Sequence, residues 1–298
     1  MQATAIAPSR QLIEGDPRDF REQFNRNPFP VRHQLAGHPL FELPNLMEFA
    51  RRVAAESPQD MHYDTGDVGI NQRWSETARG GLPVDEAISR IREEQAWIFF
   101  KWAEKDPEYS ALLDNCLGQI QELSGVDLKR VMKVREAIVF ITSPNRITTY
   151  HIDRECNFLL QIAGSKTINV FDREDRDVLT EEEIERFWSV DNNAARYKEK
   201  YQDRAHVFHL QPGEGVHIPV NCPHWLKNED NVSISLSVNF QYRDSARGNV
   251  YRANYALRKL GIRPVPPGRS AWRDAVKKSA VGGVVWARQL MRAGKGRS

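Results

Sequence analysis

Cysteine is scarce: Cys116, Cys156 and Cys222 are the only three in 298 residues. An odd, widely spaced set builds no disulfide framework, so the thiols read as small buried apolar groups in a reducing compartment. Long apolar runs are missing too. No uninterrupted stretch is long enough to span a bilayer, and the opening MQATAIAPSRQLIEGDPRDF lacks the apolar centre of a secretion signal. The expected location is therefore cytoplasmic. Net charge is also nearly absent, at +2 from 42 Lys plus Arg against 40 Asp plus Glu. With 40% hydrophobic and 28% charged residues, the chain has enough material for one well-buried core with additions.

The near-neutral total conceals an asymmetry. Residues 243–298 hold 14 Lys plus Arg against 2 acidic residues, and the rest of the chain is correspondingly acidic. Two helices are expected there, separated by the turn-rich linker Gly261-Ile262-Arg263-Pro264-Val265-Pro266-Pro267-Gly268. The second sets Trp272, Val276, Ala280, Val284, Ala287 and Met291 near one stripe, ringed by Arg273, Lys277, Lys278, Arg288 and Arg292. Such a segment suits a packing or homodimer helix with a solvated cationic face, or contact with an anionic membrane or nucleic acid. Gly282-Gly283 weakens helical continuity.

Residues 1–83 mix proline, glycine and charge, with one short helical candidate at 43–50, and no function is assigned to them. Between Val84 and Ser124 the apolar spacing predicts two buttressing helices, the first carrying Ala87, Ile88, Ile91, Trp97 and Ile98. The cluster Trp97, Phe99, Phe100, Trp102 reads as core in preference to a recognition face. Val131–Thr142 reads as a strand, and Thr180-Glu181-Glu182-Glu183 as a capping box opening a helix. That helix begins an insertion over 180–205, where a substrate-covering lid or a solvated decoration would lie. In the last strand Val232, Ile234, Leu236, Val238 and Phe240 alternate with Ser233, Ser235, Ser237 and Asn239, so the small polar face is expected to line a cavity.

The chemistry concentrates in TTYHIDRECNFLLQIAGSKTINVF, residues 148–171. Positions i and i+2 of a strand share a face, which points His151 and Asp153 the same way, with Asn157, Leu159, Gln161 and Ala163 on that face if the strand continues without a bulge. Gly164-Ser165 fits a two-residue hairpin turn, which would set Lys166 opposite Ala163 on the same side. A third ligand is sought in GEGVHIPVNCPHWLKNEDNVSISLSVNF. His224, in a loop bounded by Pro219 and Pro223, is preferred to His217, which reads equally as a packed or surface histidine. Two His and one carboxylate on one face of an ion leave three positions open, the arrangement of non-haem Fe(II) oxygenases, with zinc chemically possible.

An ordered constellation extends beyond the ligands: Thr148, His151, Asp153, Asn157-Phe158, Gln161 to Lys166, then His224 and Val238 to Phe240. In this order the chain resembles the jumonji-C family of cupin-fold, Fe(II)- and 2-oxoglutarate-dependent oxygenases, most closely its asparaginyl-hydroxylase-like branch. The resemblance implies a mainly β fold with helical additions around a double-stranded β-helix, or jelly-roll, core. That core would span 125–245 with the 180–205 insertion, between a 1–124 N-terminal extension and a basic 246–298 helical region. It further implies that His151, Asp153 and His224 bind iron, that Lys166 and Thr148 hold the distal carboxylate of 2-oxoglutarate, and that Asn157 and Asn239 flank its metal-bound end. Plain alternation would put Thr149 on the ligand face, so Thr148 requires an irregular strand start. The upstream Tyr common in the family is missing from Ala96–Phe100, and Gln241 stands where the closest branch has a substrate-contacting Trp. The implied activity is hydroxylation of a protein side chain, RNA or small molecule with release of succinate and CO2. The competing reading is a non-catalytic cupin-like binding or regulatory protein.

Overall fold

The structure, a computed structural model, describes residues 11–243 and 246–282. Five strands precede the core: β1 (Ile13–Glu14), β2 (Phe29–His33), β3 (Met61–Thr65), β4 (Ala78–Arg79) and β5 (Trp97–Phe100). Eight build it: β6 (Met132–Thr142), β7 (Ile147–His151), β8 (Cys156–Ala163), β9 (Lys166–Val170), β10 (His206–Leu210), β11 (Glu214–Ile218), β12 (His224–Asn228) and β13 (Ser233–Tyr242). Helices are α1 (Pro17–Gln23), α2 (Leu43–Glu56), α3 (Val84–Ser89), α4 (Pro107–Ser124), α5 (Leu128–Val131), α6 (Glu181–Ser189) and α7 (Ala246–Lys259).

Among the described residues the strands form two sheets. The larger runs β1-β2-β11-β8-β13-β6-β5-β3-β4 and the smaller β10-β9-β12-β7. Successive core strands largely change sheet, and residues of both sheets line one cavity between them. This is the double-stranded β-helix. No described helix is long and apolar enough to cross a membrane.

Period-two alternation explains where the core lies. On β6, Ala137, Val139 and Ile141 point outward into the main hydrophobic cluster, while Glu136, Ile138, Phe140 and Thr142 line the cavity. On β13, Ile234, Leu236, Val238 and Phe240 join the same cluster, and Ser237 and Asn239 turn inward. The N-terminal helices supply the other half of this packing, with Phe20 stacked on Phe158 at 5.9 Å and Phe24 on Phe158 at 6.1 Å. Each such buried side chain contributes about 1.5–3 kcal/mol. The interior of the jelly roll is thereby left free for ligands, since the core that stabilises it lies outside.

Several expectations are overturned. Gly164-Ser165 makes no hairpin, because β8 pairs with β11 and β13 whereas β9 pairs with β10 and β12. The turn is a crossover between sheets. Gly164 adopts φ +69°, and a Cβ there would collide with the Val232 carbonyl oxygen, so the loop at 231–232 presses against it. Ser165 N–H donates to Asn231 Oδ1 at 2.8 Å, completing the clasp. The first helix predicted between 84 and 124 shortens to Val84–Ser89, and Trp97-Ile98-Phe99-Phe100 forms β5, paired with β3 and β6. Aromatic and β-branched residues favour a pleated surface with partners on both sides over a helix. Ser233 and Ser235 are spent on Gln161, with which they bond at 3.0 and 2.8 Å, so the serine face lines the cavity only from Ser237 onward.

The insertion makes its own small core. Thr180 and Glu183 form the capping box that starts α6, and Ile184, Phe187, Ala194 and Ala195 pack with Tyr150, Ile152, Phe171 and Tyr251. The last of these belongs to α7. Arg258 of α7 makes a double hydrogen bond to the buried Glu185 at 2.7 and 2.9 Å, so the beginning of the basic tail is fastened to the insertion. Further on, Leu260, Ile262, Trp272 and Val276 are exposed. Val284, Ala287, Met291, Arg288 and Arg292 lie outside the described residues.

Candidate metal centre and its cavity

His151 closes β7, and His224 opens β12 directly opposite it in register. Their rings lie 4.1 Å apart. Asp153 follows in the loop after β7, where its carbonyl accepts from Asn221 N–H at 2.9 Å. The bond ties the loop carrying one ligand to the loop leading to another. Asp153 Oδ2 is 3.6 Å from His224 Nε2 and 3.9 Å from His151 Nε2, and the three candidate donor atoms all lie within 4.8 Å of one another. Adjacent ligands held about 2.1 Å from one ion at right angles are ~3 Å apart, so small side-chain shifts would suffice to close the set on an ion.

Both imidazoles are oriented in the same way. His151 Nδ1–H donates to the Thr149 carbonyl at 2.7 Å and His224 Nδ1–H to the Cys222 carbonyl at 3.0 Å, leaving both Nε2 lone pairs facing Asp153. Burial lowers the pKa of His224 to about 4, which keeps it neutral and able to donate a lone pair. Trp74 packs edge-on against His151 at 5.6 Å and donates Nε1–H to Thr149 Oγ1 at 2.9 Å. His217 is a satisfied core histidine: Nδ1–H meets the Asn157 carbonyl at 3.0 Å, Nε2 accepts from Asn25 N–H at 2.9 Å, and its ring stacks on Phe24. Its pKa falls to about 3 through burial.

The strand irregularity that Thr148 requires is present. His224 pairs with His151 but Leu226 pairs with Thr148, so β7 carries an extra residue between them. The bulge turns both Thr148 and His151 to the cavity and sends Thr149 to Trp74. Asn157 and Asn239 face each other across β8 and β13, joined through the Ser237 hydroxyl, which lies 2.7 Å from Asn157 Oδ1 and 3.2 Å from Asn239 Oδ1.

Lys166 opens β9, four residues before Val170, the position opposite His224. At ~3.3 Å per residue that separates the two backbone positions by ~13 Å along the sheet. The Lys166 side chain is 5% exposed, lines the same cavity, and has no ion pair or hydrogen bond among the described residues. Burial alone lowers its pKa to about 7. Arg146 and Arg154, the arginines flanking the His151–Asp153 motif, are engaged elsewhere. Arg146 is buried against Asp64 and the Gly66 carbonyl, and Arg154 reaches the Phe187 carbonyl and Asn192 Oδ1.

Other lining residues were not anticipated. Beyond the metal-binding set, the cavity of about 420 Å³ is walled by Trp97, Phe99 and Phe140, with His62, Trp74 and Lys101 from the N-terminal region and Asn192 from the insertion. The aromatic cluster at 97–102 is therefore divided, with Phe100 in the core and Trp97 and Phe99 on the cavity. Glu136 and Glu155 also line it. An acidic residue in the apolar run Glu136-Ala137-Ile138-Val139-Phe140 was the available signal for the first. Gln241, the departure from the resembling branch, donates Nε2–H to Glu155 Oε1 at 2.6 Å.

The profile described as "Cupin-like domain" matches residues 44–247. The chain belongs to this cupin-like family. No curated protein matches it, whereas solved structures do. The Escherichia coli ribosomal oxygenase YcfD aligns at 15% identity with a TM-score of 0.51, covering 92% of this chain and 67% of that one. YcfD in complex with cobalt and 2-oxoglutarate aligns at 16% identity and TM-score 0.53 over the same shares, and its complex with cobalt and succinic acid at 15% and 0.51. At such identities the likeness is one of fold. In this cupin-like chain the two-His, one-carboxylate cluster sits in the jelly-roll cavity.

Proposed function

We propose that the protein is an Fe(II)- and 2-oxoglutarate-dependent oxygenase that hydroxylates a protein side chain. The observation that carries this reading is Lys166, a buried ammonium without a counter-ion among the described residues, which shares a cavity with a two-His, one-carboxylate cluster. An unpaired buried charge costs several kcal/mol, so it calls for an anion as partner. A dicarboxylate meets both ends of the cavity. The donor set fits the metal as well, since two neutral imidazoles and one carboxylate leave three positions open for non-haem iron.

Iron bound here would supply oxygen activation coupled to oxidative decarboxylation of 2-oxoglutarate. His151, Asp153 and His224 hold it, and the carbonyl groups of Thr149 and Cys222 fix the imidazole tautomers. Lys166 neutralises the distal carboxylate, with the Thr148 hydroxyl beside it as a donor. Asn157 and Asn239, already linked through Ser237, border the keto-acid end. The walls of Trp97, Phe99, Phe140 and Trp74 keep water scarce around the reacting carbon. The ribosomal oxygenase named among the structural neighbours supports a macromolecular target.

Anaerobic loading with Fe(II), followed by admission of oxygen and measurement of succinate with and without candidate peptides, tests the reading. Iron-dependent succinate formation is expected. A protein that binds 2-oxoglutarate but never consumes it would be the non-catalytic cupin instead.

A further inference from the structure

Resting on the oxygenase reading, we infer that the cavity recognises a cationic side chain, a guanidinium or ammonium, through Glu136 with support from Glu155 and the aromatic wall. Glu136 is only 8% exposed, lines the cavity, and its Oε1 is buried with no hydrogen-bond partner among the described residues. A buried carboxylate oxygen without a donor is costly, and a ligand that brings an N–H group removes that cost. Burial raises its pKa to about 7, and an arriving cation would hold it ionised.

Its position fits a substrate, as distinct from a cosubstrate, role. Glu136 pairs across β6 and β13 with Asn239, which pairs in turn with Asn157 of β8. The backbone positions of Glu136 and Asn157, at the metal end of the cavity, are thus two strand spacings, ~10 Å, apart, whereas Lys166 lies towards the other end. Formal charges agree. A divalent metal, Asp153, a 2-oxoglutarate dianion and protonated Lys166 cancel, and of the remaining charges on the cavity wall Glu136 and Glu155 outnumber Lys101 by one. Lys101 is exposed at the rim, 5.8 Å from the Phe99 ring, and makes no ion pair with either glutamate among the described residues. Lys101 opposes the negative charge at Glu136 from a distance, while Glu155, Glu104 and Asp153 together add to it.

The flanking surface is of the kind that receives organic cations. Phe99 and Phe140 lie 5.6 Å apart, Trp97 stacks on Phe140 at 6.2 Å, and Trp97 and Phe99 are 4.7 Å apart. Aromatic faces attract a desolvated guanidinium or ammonium and also pack its aliphatic stem. Glu155, held by Gln241, presents a second carboxylate on the same cavity.

The test is calorimetric titration of the full chain loaded with Zn(II) and 2-oxoglutarate, which holds both without turnover. The probes are the capped tripeptides Gly-Arg-Gly, Gly-Lys-Gly, Gly-citrulline-Gly and Gly-norleucine-Gly, with free arginine alongside. At least one cationic peptide should bind ten-fold or more tightly than its neutral counterpart, and Glu136→Gln should reduce that preference to two-fold or less. Equal binding of the arginine and citrulline peptides together with equal binding of the lysine and norleucine peptides, no binding of any peptide, or a preference retained in Glu136→Gln would each overturn the inference. If Glu136→Gln fails to fold, the contrasts in the unaltered protein decide alone. Free arginine binding as tightly as its peptide identifies a small-molecule source for the same chemistry, and weaker binding a protein one. Titration of 2-oxoglutarate alone is run separately, so loss of cosubstrate binding, which sinks the oxygenase reading, is distinguished from loss of cation preference.

Discussion

Replacing Lys166 by Met keeps the length of the side chain and removes its charge, and the consequences differ between the empty and the loaded protein. In the empty protein the lysine is a burden. Its pKa falls from 10.5 to about 7, and at about 1.4 kcal/mol per unit this corresponds to an upper limit of about 5 kcal/mol for burying the ammonium. The sign follows from proton binding: between about pH 7 and 10.5 the unfolded chain binds more protons at Lys166 than the folded one, so stability rises with pH across that window. Below it the full cost persists, and there Lys166→Met should raise the melting temperature of the metal-free, cosubstrate-free protein. With 2-oxoglutarate the effect reverses. Leaving a buried carboxylate without its cation costs ~3–5 kcal/mol, or roughly a hundred- to several-thousand-fold in affinity. Unaltered protein should also bind 2-oxoglutarate about ten-fold more weakly per pH unit above about 7, because the ammonium must first be regained, and the variant should lose this dependence. Calorimetry at pH 6, 7 and 8, with thermal melts alongside, measures both. Unchanged affinity in Lys166→Met, or a metal affinity that falls as far as the cosubstrate affinity, would refute the assignment.

Among the remaining expectations, His151→Ala, Asp153→Ala and His224→Ala should each weaken metal binding by at least two orders of magnitude and abolish iron-dependent succinate formation, because each removes one of three donors; metal titration and a succinate assay check this. His217→Ala should instead cost ~3 kcal/mol of stability, since it opens a space beside Phe24 and orphans the Asn25 N–H and the Asn157 carbonyl, with metal affinity kept, as denaturant melts and metal titration would establish. Truncation after Tyr242 removes Tyr251 from the insertion core and Arg258 from the buried Glu185, so it should destabilise the fold by ~3–5 kcal/mol. Thermal melts decide that, and a truncated protein as stable as the full chain would show α7 to be dispensable.

Much of the site was legible because its chemistry is written in short motifs. Two residue types two positions apart, a histidine framed by prolines and a lone lysine in an apolar neighbourhood need only side-chain identity and spacing to be noticed, and the capping box at Thr180 and the alternation of β13 are local in the same sense. What stayed hidden depends on partners distant in the chain. A Gly-Ser turn reads the same whether its strands pair or part, and only the packing of Asn231 and Val232 against it, more than sixty residues on, sends β9 into the other sheet. The extra residue in β7 that aims Thr148 at the cavity is set by pairing with β12. Trp97-Ile98-Phe99-Phe100 became a strand because β3 and β6 offered edges on both sides, and Glu136 became part of a ligand wall because β13 brings Asn239 beside it. Sequence alone determined which groups could hold a metal and a dicarboxylate, since that is a property of the side chains themselves. Tertiary structure decided which of them share one cavity and which carboxylate oxygen there meets no partner among the described residues, because hydrogen-bond register and burial are set by residues that meet only after the chain has folded.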